Sequence, residues 1–293
     1  MATVVELPLE IYKGEVDPDW CPGCGDFGVL RAVEMAVSKL AIHPKDLLLV
    51  SGIGCSSNLP GFMHAYGVHS LHGRAVAVAT GAKLANHELN VVITGGDGDG
   101  YGIGLGHFVH AMRRNLDITY IVMDNQVYGL TTGQASPTTM KEVRTKSTPR
   151  GNVETPLNPL ALAIVAGATF VSRGYSGEIK HLADLVAGGI AHRGFSLIDV
   201  FSPCVTYNKI NTYPFFKKRV YKLEDEEGYN PSDAKAALER SFEWGDKIPI
   251  GVVYKDQQPI YEDSEPALKN GPLCKQNREL SQETFKKLYD EFF

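Results

Sequence analysis

Two sets of side chains in this sequence could do chemistry. The first is a carboxylate held between glycines, Asp97 in "GGDGDGYG", with a carboxamide 28 residues on, Asn125 in "MDNQVYG". Mg²⁺ takes hard oxygen ligands in near-octahedral geometry, commonly one or two protein groups plus substrate phosphates. Asp97, Asn125 and a backbone carbonyl such as that of Val127, with two diphosphate oxygens and a water, would satisfy it. The second set is four thiols. Cys21 and Cys24 form "WCPGC", while Cys55 ("GIGCSSN") and Cys204 ("FSPCVTYN") stand alone and far apart.

Cys21 and Cys24 by themselves leave three readings: a thioredoxin-like redox pair, half of a metal site, or a turn. A redox CxxC needs a buried strand before it and a helix after it, so that the helix N-terminus activates the leading thiol. The hydrophilic "YKGEVDPD" upstream is no such strand. Four cysteines suffice for a zinc ion or a cubane iron–sulfur cluster. Structural zinc usually closes from two CxxC-like knuckles, and one CxxC with two distant singles favours a cluster at the edge of an active site. Cys274, in "GPLCKQN", reads as a spare thiol.

The elements that must position these groups follow from hydrophobic periodicity. Short Val- and Ile-rich runs, "DLLLVSGIG", "LNVVITGGDGDG", "ITYIVMDNQVYG", "ATFVSRGY" and "FSLIDVFSPC", alternate with stretches whose apolar residues fall three and four apart. That is the rhythm of an α/β fold, a mostly parallel sheet with helices on both faces. Ligands in such sheets bind beyond the carboxyl ends of the strands. "SGIGCSSN", "GGDGDGYG" and "MDNQVYGLT" all end strands, so they should face one crevice. The Gly-rich turn lacks the Gly-Lys-Ser/Thr of a Walker loop. A GxGxxG does occur at Gly23 to Gly28, but no strand precedes it.

The boundaries expected are an N-terminal segment at 1–20, the α/β domain at 21–205, and a C-terminal extension or arm at 206–293, where the composition becomes more charged and aromatic. A chain of 293 residues, 43% hydrophobic, can bury a full core. With 34 acids against 29 bases and a net charge of −5, it carries no footprint for nucleic acid. No run is long and apolar enough for a membrane span, and the start lacks the pattern of a signal peptide, so a cytoplasmic protein is expected.

Asp97-Gly98 followed after 26 residues by Asn125 matches the thiamine diphosphate motif of the thiamine-dependent enzymes, with Asp124 where many members carry Asn. Together, "CPGCG", "GIGCSS", "HSLHGRA", "TGGDGDG" and "DNQVYGLTTGQASPT" resemble the β subunit of the 2-oxoacid:ferredoxin oxidoreductases, from about residue 15 to 210. The C-terminal region resembles the 2-oxoglutarate branch. The resemblance implies that Cys21, Cys24, Cys55 and Cys204 hold one 4Fe-4S cluster and that Asp97, Asn125 and the Val127 carbonyl hold Mg²⁺. Thiamine diphosphate would contact Ile53, Gly54, Cys55 and Ser56, then His72, Gly73, Arg74 and Ala75, then Gly98, Asp99, Gly129 and Leu130. Asn58 and Leu130 would face substrate. His64 and His69 read as structural.

The implied reaction is CoA-dependent oxidative decarboxylation of a 2-oxoacid, most simply 2-oxoglutarate to succinyl-CoA and CO₂, with electrons passing to ferredoxin. Pyruvate or a broad range of 2-oxoacids is the alternative. The rival classes are a non-redox thiamine decarboxylase or carboligase subunit and an iron–sulfur electron-transfer adaptor. The glutamate that activates the cofactor is expected on an α subunit, making this chain part of a heterodimer or heterotetramer. Lys217, Lys218 and Arg219 form a short basic run that could attract an acidic ferredoxin, although a solvated face is the simpler reading.

Overall fold

In the computed structural model, which describes residues 5–277 and 279–292, strands and helices alternate as the periodicity requires. The first part of the chain forms α1 (Asp26–Lys39), β1 (Leu47–Ser51), β2 (Tyr66–His69), α2 (Ala75–Ala85), β3 (Asn90–Gly96), α3 (Leu105–Arg114) and β4 (Thr119–Asp124). A hairpin of β5 (Val127–Tyr128) and β6 (Gln134–Ala135) follows, then α4 (Pro159–Ala166), β7 (Phe170–Tyr175), α5 (Ile179–Ala191) and β8 (Ser196–Phe201). The remainder gives α6 (Tyr213–Lys217), β9 (Val220–Lys222), α7 (Ala234–Ser241), β10 (Ile248–Lys255), α8 (Tyr261–Ser264) and α9 (Gln282–Asp290).

Eight strands make one sheet in the order β2-β1-β3-β4-β8-β7-β10-β9. From β2 to β7 every pairing is parallel, and β10 then runs antiparallel to β7 with β9 beside it. The region expected as an arm after residue 205 therefore contributes two strands to the main sheet. Its apolar run "IPIGVVYK" is β10, buried along most of its length.

Alternation within the strands explains the layers. Leu48, Val50, Val91, Ile93, Tyr120 and Val122 join the core under α2, α3, α4 and α7. Leu47, Leu49, Val92, Ile121 and Met123 face the other way, into the core under α1 and α5. Both faces are apolar, so the central strands read as continuous hydrophobic runs.

Register sets the functional edge. Ser51 stands beside Thr94, Gly96 beside Met123 and Asp124 beside Phe201, so four neighbouring strands finish together. The loops leaving β1, β3, β4 and β8 carry Cys55, Asp97, Asn125 and Cys204.

Candidate functional site

Two cavities lie at that edge. The first, about 210 Å³, is lined by Ile53, Gly54, Cys55, Ser56, His72, Asp97, Gly98, Asp99, Asn125, Val127, Gly129 and Leu130, together with Gly96, Tyr128 and Thr131. Asp97 is buried, and its Oδ2 accepts a hydrogen bond from Thr138 Oγ1 at 2.6 Å. The same hydroxyl lies 2.8 Å from Asp124 Oδ1, on a second buried carboxylate. Burial pushes the Asp97 carboxyl up to about 6, and burial with the nearby Asp97 charge raises Asp124 well above the carboxylate range. This local excess of acid suits a divalent cation.

Asp99, the next acid, ties two loops to its own. Its Oδ1 accepts from Ile53 N at 3.0 Å, Gly73 N at 2.7 Å and His72 Nδ1 at 2.8 Å. Its Oδ2 is buried and, among the described residues, has no partner. Gly52 permits the approach, because a Cβ there would sit 2.0 Å from Asp99 Oδ2.

Asn125 begins a tight turn. Its Oδ1 accepts from Val127 N at 3.0 Å, which leaves the oxygen's second lone pair available, and Gln126 between them takes a left-handed φ of 61°. Gly98 must be glycine for a different reason. Tyr128 donates to the Gly98 carbonyl at 3.1 Å, and a Cβ on Gly98 would meet the Tyr128 ring at 2.2 Å.

The second cavity, about 230 Å³, brings all four expected cysteines together, with Trp20, Asn58, Val205 and Tyr207. Cys55, Asn125, Gly129 and Leu130 line both cavities and form their common wall. The join between Cys24 and Cys204 depends on Gly25, whose N–H donates to Pro203 O at 3.2 Å and whose Cβ, if present, would sit 2.4 Å from Ser202 Oγ. Trp20 donates from its indole to Cys55 O at 2.7 Å and packs edge-on against Phe27 and Phe62. It fastens the CxxC loop to the Cys55 loop.

Burial pushes the Cys55 thiol up to about 11, with Asp26, Cys204 and Cys21 adding to the rise, and the Cys24 thiol is raised further still. Without metal these sulfurs hold their protons, and iron would have to displace them. Among the described residues no three His, Cys, Asp or Glu side chains converge on a single metal ion. The four thiols thus share one cavity wall without closing on a single ion.

Of the other expected contacts, Gly73 reaches the site through its N–H to Asp99, but Gly73, Arg74 and Ala75 are not on the cavity wall. Ala75 lies in the core, and Arg74 turns back to the Gly73 carbonyl. His64 and His69 stay off both walls, beside Ile11 O and Ser51 Oγ. Asn58 faces the cysteine cavity and not the first one. Thr138 went unread in the sequence, its only signal being two threonines in "SPTT".

A parallel sheet whose strand ends gather a buried glycine-flanked carboxylate and an asparagine turn defines a thiamine diphosphate-binding domain. Residues 52–200 match the family model of the thiamine pyrophosphate enzyme C-terminal TPP-binding domain, and residues 204–270 match that of the C-terminal part of the pyruvate ferredoxin oxidoreductase β chain. The 2-oxoacid:ferredoxin oxidoreductase β subunit of Saccharolobus solfataricus is 49% identical over 271 residues, covering 87% of this chain and 89% of that protein. Subunit β of 2-oxoacid:ferredoxin oxidoreductase 1 from Aeropyrum pernix is 45% identical over 96% of this chain and 95% of its own length. A solved 2-oxoglutarate:ferredoxin oxidoreductase from Magnetococcus marinus, with 2-oxoglutarate, coenzyme A and succinyl-CoA bound, superposes with a TM-score of 0.89 at 40% identity, covering 96% of each chain. The chain belongs to the β subunits of the 2-oxoacid:ferredoxin oxidoreductases, which are thiamine diphosphate-dependent enzymes. Among the described residues, no helix is long and apolar enough to cross a membrane.

Proposed function

We propose that this chain, paired with an α subunit, carries out the CoA-dependent oxidative decarboxylation of 2-oxoglutarate and delivers the electrons to ferredoxin in the cytoplasm. The observation that carries this reading is the shared wall, in which Cys55 from the loop after β1 and Asn125, Gly129 and Leu130 from the segment after β4 line both cavities. When bound, thiamine diphosphate supplies the carbanion chemistry and electron sink, and a 4Fe-4S cluster supplies one-electron storage.

The chain's own residues hold and orient these groups. Asp97, Asn125 and the Val127 carbonyl would bind Mg²⁺ beside the diphosphate. Asp99 keeps His72 and the Ile53–Ser56 loop in place against the same cofactor. Cys21, Cys24, Cys55 and Cys204 would hold the cluster. Leu130, half exposed at the mouth of the cavities, and Asn58 are the groups positioned to meet substrate. The activating carboxylate would come from the α subunit that a β subunit implies.

The choice of 2-oxoglutarate is supported by the Magnetococcus enzyme and by 2-oxoglutarate oxidoreductase subunit KorB of Mycobacterium tuberculosis, 42% identical over 197 residues, covering 67% of this chain and 53% of that protein. A broader range is the second reading, favoured by the higher identity to subunits named only for 2-oxoacids. Anaerobic co-expression with the α subunit, followed by iron analysis and a low-potential dye assay on 2-oxoglutarate, pyruvate and branched 2-oxoacids with CoA, tests both. Selective use of 2-oxoglutarate supports the first reading, and comparable rates on all substrates support the second. A colourless, iron-free enzyme would refute the redox assignment altogether.

A further inference from the structure

Beside the cysteine cavity opens a groove of about 510 Å³, walled by Lys141, Glu142, Arg144, Tyr207 and Lys209 among others. Tyr207 belongs to both, lining the cysteine cavity on one side and the groove on the other. Its backbone N–H points at Cys204 Sγ, 3.4 Å away. The groove is therefore one side chain removed from the thiols.

Its charge is opposite to that of the molecule as a whole. In a chain of net charge −5, residues 141–150 carry Lys141, Arg144, Lys146 and Arg150 against the single acid Glu142. All four cations are exposed, as is Lys209. Among the described residues, none of Lys141, Arg144, Arg150 and Lys209 is in an ion pair. The other approach to the thiols is acidic, since Asp19 lines the cysteine cavity and Glu15 and Asp17 precede it. A charged macromolecule arriving at these cysteines would meet a cationic side and an anionic one. The run Lys217, Lys218 and Arg219 does not line either cavity or the groove, and Arg219 lies over the Phe215 ring at 4.2 Å.

We propose that the Lys141–Arg144–Lys209 groove is the docking surface for an acidic electron-carrier protein, seated over Tyr207. This rests on the redox reading above and gives it a direction of exit. Oxidising one 2-oxoacid anion with the CoA thiol to the thioester and CO₂ releases two electrons and the thiol's proton; the proton goes to solvent, and a one-electron carrier removes the electrons in two docking events, each reducing one carrier. Electrostatic steering of this kind raises association rates by about 10- to 1000-fold and falls steeply with salt.

The test uses the co-expressed αβ enzyme, assayed with an acidic ferredoxin and, in parallel, with methyl viologen. In K141E/R144E/K209E the KM for ferredoxin should rise by about tenfold or more at low salt. The dye rate should hold, and the salt dependence seen in the unaltered enzyme should flatten. K217E/K218E should leave all three unchanged. Should the triple variant assemble poorly, K141Q/K209Q and the salt dependence of the unaltered enzyme carry the same prediction. An unchanged ferredoxin KM and salt slope with intact dye activity would overturn the proposal. So would a parallel fall in the dye rate, which would assign the groove to the α subunit or to CoA, or an effect confined to K217E/K218E. If the unaltered enzyme reduces neither acceptor with any 2-oxoacid, it is the functional reading that fails.

Discussion

The Thr138 hydroxyl offers the most exacting check on the metal site. It has a single proton, and two buried carboxylate oxygens compete for it, Asp97 Oδ2 at 2.6 Å and Asp124 Oδ1 at 2.8 Å. Thr138→Val keeps the volume and removes the donor. A hydrogen bond to a charged group contributes about 1.5–3 kcal/mol, and stranding a buried acceptor costs about as much. The loss falls on Asp97, the expected Mg²⁺ ligand, whose carboxylate would be free to rotate away from the cavity. Removing a partner that orients a metal ligand typically weakens binding about 10- to 100-fold. Calorimetric titration of the αβ enzyme with Mg²⁺ in the presence of thiamine diphosphate should show that increase in Kd for Thr138→Val. Thr138→Ser, which restores the proton, should return it to within a few-fold. Unchanged Mg²⁺ and cofactor affinity in the valine variant would refute the argument, and failure of serine to rescue would show that the methyl packing matters and not the hydrogen bond.

Three further outcomes follow from the same geometry. Gly98→Ala should weaken cofactor binding and cost about 1–3 kcal/mol, because its Cβ would meet the Tyr128 ring at 2.2 Å; adding Tyr128→Leu should recover part of the thermal stability, and strictly additive losses would argue against the clash. Cys55→Ala should abolish the brown absorbance and lower the iron content, while Cys274→Ala, an exposed cysteine lining neither cavity, should change neither, with iron retained in the former removing Cys55 from the set. Asp26 is buried, and burial raises its carboxyl from 3.8 to about 6, so the folded chain holds that proton more tightly than the unfolded one. Its favourable contribution is complete below about pH 4 and is lost as pH rises through 6, a change of about 3 kcal/mol. Melting curves of the metal-free chain should show that pH dependence shrinking in Asp26→Asn, and parallel curves for the two proteins across pH 4 to 7 would contradict it.

The parts of the site legible in the sequence are those whose signal is local. Asp97 is flanked by glycines because the chain must turn tightly between Tyr128 and the strand end, and Asn125 sits where β4 stops, so one helix and one strand of spacing placed both. Of the four cysteines, Cys55 and Cys204 were legible because each follows a predicted strand, whereas Cys21 and Cys24 joined them only through the resemblance to the family. β2 had no such signal: Tyr66–His69 is an exposed edge strand, without a hydrophobic face to read. Thr138 was invisible for a related reason, since its partners Asp97 and Asp124 are 41 and 14 residues away and a loop threonine carries no periodicity. The segment "IPIGVVYK" was expected within an arm and is instead β10, because its antiparallel return against β7 depends on which sheet edge is left open, and no local pattern encodes that.

The common wall between the cavities constrains the sequence more tightly than either cavity alone. Gly129 is the clearest case. A Cβ at this position would lie 3.6 Å from Cys55 Sγ, 3.6 Å from Asn125 Nδ2 and 3.9 Å from Cys204 Sγ, so the backbone here touches the expected cluster ligands and an expected metal ligand together. A larger residue would fit in contact but would occupy the space between thiols and carboxamide, pushing the two sites apart. Cys55 works from the other side of the same wall, its carbonyl fastened by Trp20 and its side chain lining the cavity it shares with Cys24 and Cys204. Electron transfer between the two sites would weaken steeply with such widening, while decarboxylation would not. Substitutions at Gly129 should therefore separate the two half-reactions, leaving CO₂ release from the 2-oxoacid while slowing reduction of any external acceptor. Equal losses in both would mean that the wall serves only to shape the first cavity.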